Sequence, residues 1–110
     1  MEFSELIKKA KEIRDEYKKL TQKEGNKPWG VMEHTLGFVG DVGDLVKLVM
    51  AKNKFRNCEN VDKKLIHELS DCLWSIIIIA DELGIDLESG FLETMDELHR
   101  RIETEKSRKK

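Results

Sequence analysis

The sequence contains few of the residues that define disulfide-linked or extended folds. Its 110 residues include one proline, 6% aromatic residues and two cysteines, Cys58 and Cys72. The cysteines form neither a CxxC pair nor a disulfide framework. Cys72 lies in an apolar run, where a cysteine usually behaves as a small core residue. The histidines His34, His67 and His99 do not have zinc-ligand spacing.

Long apolar runs and an excess of one charge sign are also absent. The isoleucine run at residues 76–79 is far shorter than the about 20 apolar residues that a membrane-spanning helix needs. A net charge of −2 argues against broad electrostatic binding to nucleic acid. The N-terminus begins directly with a charged amphipathic pattern rather than a secretory signal. We therefore expect a cytoplasmic protein with no membrane partner and no nucleic-acid partner.

The residues that are abundant favour one all-helical domain. Charged residues make up 38% of the chain, and the mixture of Lys, Glu, Leu and Ile is typical of helical proteins. A length of 110 residues fits a single domain, residues 1–110, that is large enough to bury a core. Apolar spacing and turn residues predict four helices, over residues 4–23, 29–52, 61–83 and from 87 into the tail. The predicted N-caps are Ser4, Asn60 and Asp86, and the predicted stops are Gly25 and Gly84.

Two further features of the sequence bear on possible binding partners. Residues 99–110 contain six basic and two acidic residues, which indicates either a solvated helix end or a binding tail. The centre of the third helix is apolar nearly all round, which is typical of a helix buried on most sides. Because one short chain can hardly cover such a helix, we expect a homo-oligomer formed by helix–helix packing.

Two pairs of acids are the most informative feature of the chain. Asp41 and Asp44, and then Glu68 and Asp71, have i, i+3 spacing, which places each pair on one helix face. Both pairs lie in largely apolar stretches, where a carboxylate must be paired or must bind a metal. If the second and third helices are antiparallel neighbours, the four carboxylates meet.

Four acids on facing helices suit a hard cation such as magnesium. Divalent ions would relieve the repulsion between the carboxylates. Magnesium held in this way recruits substrate phosphates as further ligands. The predicted reaction is therefore hydrolysis within a phosphate chain, with the metal activating the attacking water.

Simpler interpretations of the same residues stay open. The acids could form salt bridges to lysines or face solvent, since DxxD pairs are common in chains this rich in charge. Gly37, Gly40 and Gly43 each cost about 1 kcal/mol relative to alanine in a helix. Their presence indicates close packing against a neighbouring helix, room for a ligand, or both.

Four stretches carry a resemblance to a known family. They are 36–45 (LGFVGDVGDL), 68–73 (ELSDCL), 80–87 (ADELGIDL), and Met95-Asp96 in the last helix. Through them the core, residues 29–102, resembles the MazG-like all-α nucleoside triphosphate pyrophosphohydrolases, and it is most similar to their dCTP-pyrophosphatase-like branch. Residues 103–110 form a basic tail outside this resemblance.

The resemblance implies a four-helix bundle-like MazG-type fold, a metal site and an activity. Its ExxE and ExxD motifs correspond to Asp41, Asp44, Glu68 and Asp71, which would bind Mg²⁺, with Mn²⁺ as a possible substitute. The family hydrolyses nucleoside triphosphates to the monophosphate and pyrophosphate, and its members are dimers or tetramers. Separately from the resemblance, one of these four acids would orient or deprotonate the attacking water; Glu68 is the first candidate, and the sequence does not determine which acid it is.

The resemblance further implies residues that bind the substrate. Trp29 would stack on the base, although it could instead pack the first turn of the helix. Lys52 and Arg101 would neutralise phosphate oxygens. Lys47 is a weaker candidate for this role, and Trp74 is expected to pack in the core.

The chain departs from the family at several site positions. Asp41 and Asp44 stand where the family has glutamates and are shorter by one methylene. Ser75 and Leu98 stand where the dCTP-specific branch has an aromatic residue and an asparagine. The sequence therefore leaves the preferred base open. It also leaves open an alternative function, that of a weakened or inactive member acting as an oligomeric nucleotide-binding or metal-binding helical protein.

Overall fold

The computed structural model describes residues 1–54 and 59–109, and over these residues the protein is all-helical. The four helices are α1 (Phe3–Lys23), α2 (Val31–Lys52), α3 (Val61–Glu82) and α4 (Leu87–Arg108). This confirms the predicted all-α class and the predicted number of helices. Part of the predicted loop between α2 and α3, including Cys58, lies outside the described residues. None of the described helices is both long and apolar enough to cross a membrane.

The helix ends follow local sequence signals, with small differences from the prediction. Asp86 caps α4 as predicted, because its Oδ1 accepts a hydrogen bond from the Ser89 backbone N–H at 3.1 Å. Helix α2 begins later than predicted, since Gly30 is extended and its N–H donates to Glu33 Oε1 at 2.7 Å. Ser4 lies inside α1 rather than at its N-cap.

Helices α2 and α3 pack against each other as antiparallel neighbours. At one end Lys52, the last residue of α2, forms an ion pair with Asp62 in the first turn of α3. At the other end His34 in the first turn of α2 meets Trp74 of α3, with their rings 5.6 Å apart. This pairing satisfies the condition under which the two acid pairs face each other.

Helix α1 lies across the C-terminal half of α3. Trp74 Nε1 donates to the Ala10 carbonyl at 3.0 Å, and Ala10 packs with Ile77 and Ile78 in the small core. Arg14 is buried and donates to Asp81, and this hydrogen bond is the main reason why the pKa of Asp81 is lowered. This ion pair, half-buried on the Asp81 side, joins α1 to α3.

Helix α4 and much of the apolar surface are exposed in the single chain. Every described residue from 89 onwards is exposed, and α4 has no buried residue. On α3, Leu69, Leu73 and Ile76 are also exposed, although they lie in the apolar centre of that helix. The radius of gyration is 18.0 Å, whereas a compact domain of this length has about 13 Å. One chain therefore leaves uncovered much of the apolar surface that a folded domain normally buries.

Candidate metal centre

Three of the four predicted metal ligands converge between α2 and α3. One carboxylate oxygen from each of Asp41, Asp44 and Glu68 lies within 4.8 Å of the other two. The two aspartates share a face of α2 because they are three residues apart, and Glu68 faces them from α3. We call these three residues the acid triad.

The environment of the triad disfavours negative charge. Burial, followed by the nearby carboxylates of Asp71 and Asp44, raises the pKa of Asp41. Burial and the same group of carboxylates raise the pKa of Glu68. Glu68 Oε2 is buried and has no hydrogen-bond partner among the described residues. A buried carboxylate oxygen without a partner is costly, and a bound cation would remove that cost.

Asp71 is close to the triad but has a different neighbour. Its Oδ2 lies 3.1 Å from His67 Nε2, one helical turn earlier on α3. The charge of Asp71 still contributes to the raised pKa values of Asp41 and Glu68. Asp71 is not part of the group of three, and its role as a metal ligand stays a prediction.

The donor set of the triad fits magnesium better than a softer metal. All three groups offer carboxylate oxygens, which are the ligands that Mg²⁺ prefers in proteins. Oxygens on opposite sides of one Mg²⁺ are about 4.2 Å apart, since each Mg–O distance is about 2.1 Å. Adjacent oxygens are closer, at about 3.0 Å, so three oxygens within 4.8 Å of one another would draw together to share one ion.

A cavity of about 360 Å³ adjoins the triad on the α1 side. We call it the aromatic cavity. Its size lies within the range of small-molecule sites. Asp41 and Asp71 form its acidic side. The other lining residues are Arg14, Tyr17, Lys18, Thr21, Trp29, His34 and Trp74.

Three aromatic rings follow one another along this cavity. Trp29 meets His34 edge-to-face with ring centroids 5.5 Å apart, and His34 meets Trp74 in the same way at 5.6 Å. Trp29 is half exposed, so one part of its ring is accessible to a ligand. This position agrees with the predicted stacking role of Trp29. It also gives Trp74, which was expected only to pack, a place in the cavity wall.

His34 is a site residue that the sequence reasoning missed. Burial lowers the pKa of its imidazole, and Nδ1 is buried with no hydrogen-bond partner among the described residues. The sequence gives this histidine no zinc-ligand spacing, and it therefore does not stand out as a ligand. Its position seven residues before Asp41 was the available signal, because two helical turns place the two residues on one face.

A second cavity, of about 580 Å³, adjoins the triad on the side of the α2–α3 connection. We call it the lysine cavity. Asp44 and Glu68 lie on its wall together with three lysines. The remaining lining residues, lysines included, are Lys47, Leu48, Asn60, Lys63, Lys64 and His67.

The other predicted substrate-binding residues lie away from the triad within one chain. Lys52 is exposed, and its Nζ lies 2.6 Å from Asp62 Oδ1. Arg101 is exposed on α4 and lies 3.9 Å from Glu97. Neither residue lines the aromatic cavity or the lysine cavity. Lys47, the weaker candidate, is the one that lines a cavity beside the triad.

Known proteins offer no independent identification of this site. Comparisons with protein families, with curated proteins and with solved structures found no match. The resemblance in the sequence motifs therefore stays a prediction.

Gly37 offers a direct way to disturb the position of Trp29. A Cβ atom at Gly37 would lie 3.0 Å from Cζ3 of Trp29, whereas one at Gly43 would meet nothing within 4 Å. We expect Gly37→Ala to displace the Trp29 ring, shift the tryptophan fluorescence and raise the KM for a nucleotide by about tenfold. Such a change corresponds to about 1.4 kcal/mol of binding.

Gly43→Ala is the matched control for this change. Each substitution should stabilise the helix by about 1 kcal/mol. A difference in KM or fluorescence between the two variants would therefore result from the contact of residue 37 with Trp29. Equal KM values and equal fluorescence spectra in the two variants would contradict a role for Trp29 in substrate binding.

Proposed function

We propose that this protein is a magnesium-dependent pyrophosphohydrolase of the MazG-like type. In this proposal it hydrolyses a ribo- or deoxynucleoside triphosphate to the nucleoside monophosphate and pyrophosphate. Mn²⁺ is a candidate substitute for Mg²⁺. The bound ion would supply positive charge to the phosphate oxygens and lower the pKa of the attacking water.

The observation that carries the proposal is the convergence of three carboxylates without a cationic partner in the part of the chain that the structure describes. Among the described residues, no lysine or arginine forms an ion pair with Asp41, Asp44 or Glu68. This arrangement argues against the structural interpretation, in which the acids hold the helices together through salt bridges to lysines. A carboxylate cluster beside an aromatic cavity instead favours a metal–nucleotide complex.

The residues of the chain have distinct roles in this proposal. Asp41 and Asp44 hold the ion from α2, and Glu68 completes the site from α3. Glu68 is also our candidate for orienting or deprotonating the attacking water, because its carboxylate faces the two aspartates from the opposite helix. Trp29 stacks on the base at the mouth of the aromatic cavity.

Self-association is part of the proposal. The exposed apolar residues of α3 and α4 and the large radius of gyration support a dimer or tetramer of this chain. Exposed apolar patches of this extent usually mark an interface. In such an assembly, Arg101 on the exposed α4 would approach the site of a second copy, which is how its predicted phosphate-binding role would be fulfilled.

Pyrophosphate release from a panel of canonical and modified nucleoside triphosphates tests the proposal. We expect release with Mg²⁺ or Mn²⁺, a nucleoside monophosphate as the second product, and no release with a chelator. A metal-independent reaction would contradict the role of the acid triad. A product other than the monophosphate would contradict the proposed position of cleavage.

The second candidate function is that of a nucleotide-binding or metal-binding helical protein without catalysis. The short side chains of Asp41 and Asp44 favour it, because they reach less far towards a metal than the glutamates of the family. In that case Mg²⁺ would still raise the melting temperature of the protein, since a ligand of the native state stabilises it. No nucleotide in the panel would be hydrolysed.

A further inference from the structure

We infer that the lysine cavity binds the diphosphate half of the substrate, which becomes the pyrophosphate product. This inference rests on the proposed function and assigns a direction to the bound nucleotide. It gives a role to Lys47 of α2 and to Lys63 and Lys64 of α3, of which only Lys47 was a candidate from the sequence.

The acid triad separates the two cavities and so sets this direction. Asp41 lines the aromatic cavity, whereas Asp44 and Glu68 line the lysine cavity. A nucleotide whose phosphate chain passes over the triad therefore has its base at one cavity and its terminal phosphates at the other. The α-phosphate, where hydrolysis takes place, lies between them at the carboxylates.

The two cavities differ in charge, and this difference indicates which part of the nucleotide each one binds. The aromatic cavity carries Asp41 and Asp71, and its two cations, Arg14 and Lys18, are already paired with Asp81 and Glu82. The lysine cavity has three lysines among its lining residues. A diphosphate is strongly anionic, and lysine is a common phosphate ligand in proteins. The lysine cavity is therefore the better place for it.

Two of these lysines have no acidic partner within residues 1–54 and 59–109. Lys47 and Lys63 form no ion pair with a described residue, although Asp44 and Glu68 line the same cavity. Lys52, one helical turn beyond Leu48, shows the contrast because it is paired with Asp62. A metal–diphosphate complex would neutralise both sets of charges in the lysine cavity. The ion would bind the carboxylates, and the phosphate oxygens would bind the lysines.

The backbone at this end of the molecule adds to the attraction. The lysine cavity includes Asn60, the residue before α3, and Lys63 and Lys64 in its first turns. The first backbone N–H groups of a helix have no partners within that helix, and they favour anions. The helix start supplements the lysines here and would not define a site without them.

In the proposed reaction, the diphosphate is the leaving group and departs into the lysine cavity. The water oxygen bonds to the α-phosphorus, and the bond from that phosphorus to the α–β bridging oxygen breaks. The bridging oxygen leaves with the electron pair as part of the diphosphate. The water proton passes to the catalytic carboxylate and then to solvent.

Direct binding of inorganic pyrophosphate tests the inference. Titration calorimetry in the presence of Mg²⁺ would compare the wild-type protein with the double variant Lys47→Met/Lys63→Met. We expect at least a tenfold weaker affinity for pyrophosphate in the variant and an unchanged affinity for nucleoside monophosphate. The control is Lys19→Met, which removes an exposed lysine of α1 that lines neither cavity.

The outcomes separate this inference from the proposed function. If the wild-type protein hydrolyses nucleotides but the double variant binds pyrophosphate equally well, the lysine cavity is not the diphosphate site. If pyrophosphate binds in a lysine-dependent way and no nucleotide is hydrolysed, the cavity assignment stands and the catalytic proposal fails. Failure of the wild-type protein to bind pyrophosphate would overturn the inference.

Discussion

Glu68→Gln is expected to abolish metal-dependent pyrophosphate release while making the metal-free protein more stable. Glutamine has nearly the same shape as glutamate but lacks the charge that a metal site and a general base both need. Loss of a ligand that positions the ion removes several kcal/mol of transition-state stabilisation, which is about 1,000-fold or more in kcat. The oligomer should stay folded.

The stability part of this expectation follows from the raised pKa of Glu68. Burial and the neighbouring carboxylates make the ionised form unfavourable in the folded protein. A group with a raised folded-state pKa adds stability below its unfolded pKa, and this contribution is lost as pH rises through the folded pKa. Metal-free Glu68→Gln should therefore melt at a higher temperature than the wild type near neutral pH, and this difference should shrink towards pH 4.

With Mg²⁺ bound, the wild-type protein should melt at a higher temperature than Glu68→Gln. Because protons and metal compete for the same carboxylates, the rise in melting temperature on adding Mg²⁺ should be small at low pH and larger towards pH 8. Glu68→Gln should show little of this rise at any pH. Thermal melts between pH 4 and pH 8, with chelator or Mg²⁺, measure both effects.

Glu93→Gln provides the control for the loss of a charge. Glu93 is exposed on α4, and its substitution should leave the activity and the magnesium response unchanged. An identical magnesium response in the wild type and in Glu68→Gln would exclude Glu68 from the metal site. Full activity in Glu68→Gln would contradict the proposed function itself.

Leu98→Glu is expected to dissociate the protein into monomers. Helix α4 carries an apolar stripe whose members are four, three and four residues apart. They are Phe91, Met95, Leu98 and Ile102, all of them exposed in the single chain. This spacing places them on one face. A glutamate in the middle of that face would have to be buried without a partner, and the cost should weaken association by at least about 100-fold.

Sedimentation velocity or light scattering at micromolar concentration measures this change. Thr104→Glu is the control, because it adds the same charge to α4 outside the stripe and should leave the mass unchanged. The melting temperature of Leu98→Glu should fall and depend less on protein concentration, since association stabilises the folded chain. A wild-type protein that is already monomeric would contradict the proposed assembly.

The helices and most of their ends were predictable because they depend on local residues. Apolar spacing, the cap at Asp86 and the glycines after α1 and α3 act over a few residues, so the sequence alone determined where the helices begin and end within a few positions. The i, i+3 spacing likewise determined that Asp41 and Asp44 share one face. These features need no knowledge of the neighbouring helix.

The composition of the site was decided by tertiary packing. Helical periodicity gives the face of a residue, but the register between α2 and α3 selects which carboxylates meet. That register brings Glu68 to the two aspartates and leaves Asp71 beside His67. It also gathers Lys47 and Lys63 from different helices into one cavity, which no spacing within either helix could indicate.

The contribution of α1 to the site could not be predicted from the sequence either. The buried pair of Arg14 with Asp81 joins residues 67 positions apart and fixes α1 over α3. Helix α1 supplies Arg14, Tyr17, Lys18 and Thr21 to the wall of the aromatic cavity, together with His34 and Trp74 from the other two helices. The sequence by itself therefore determined the helices and the chemistry available on each face. Only the packing of the helices decided which side chains form a site, because their crossing and register depend on contacts between distant residues.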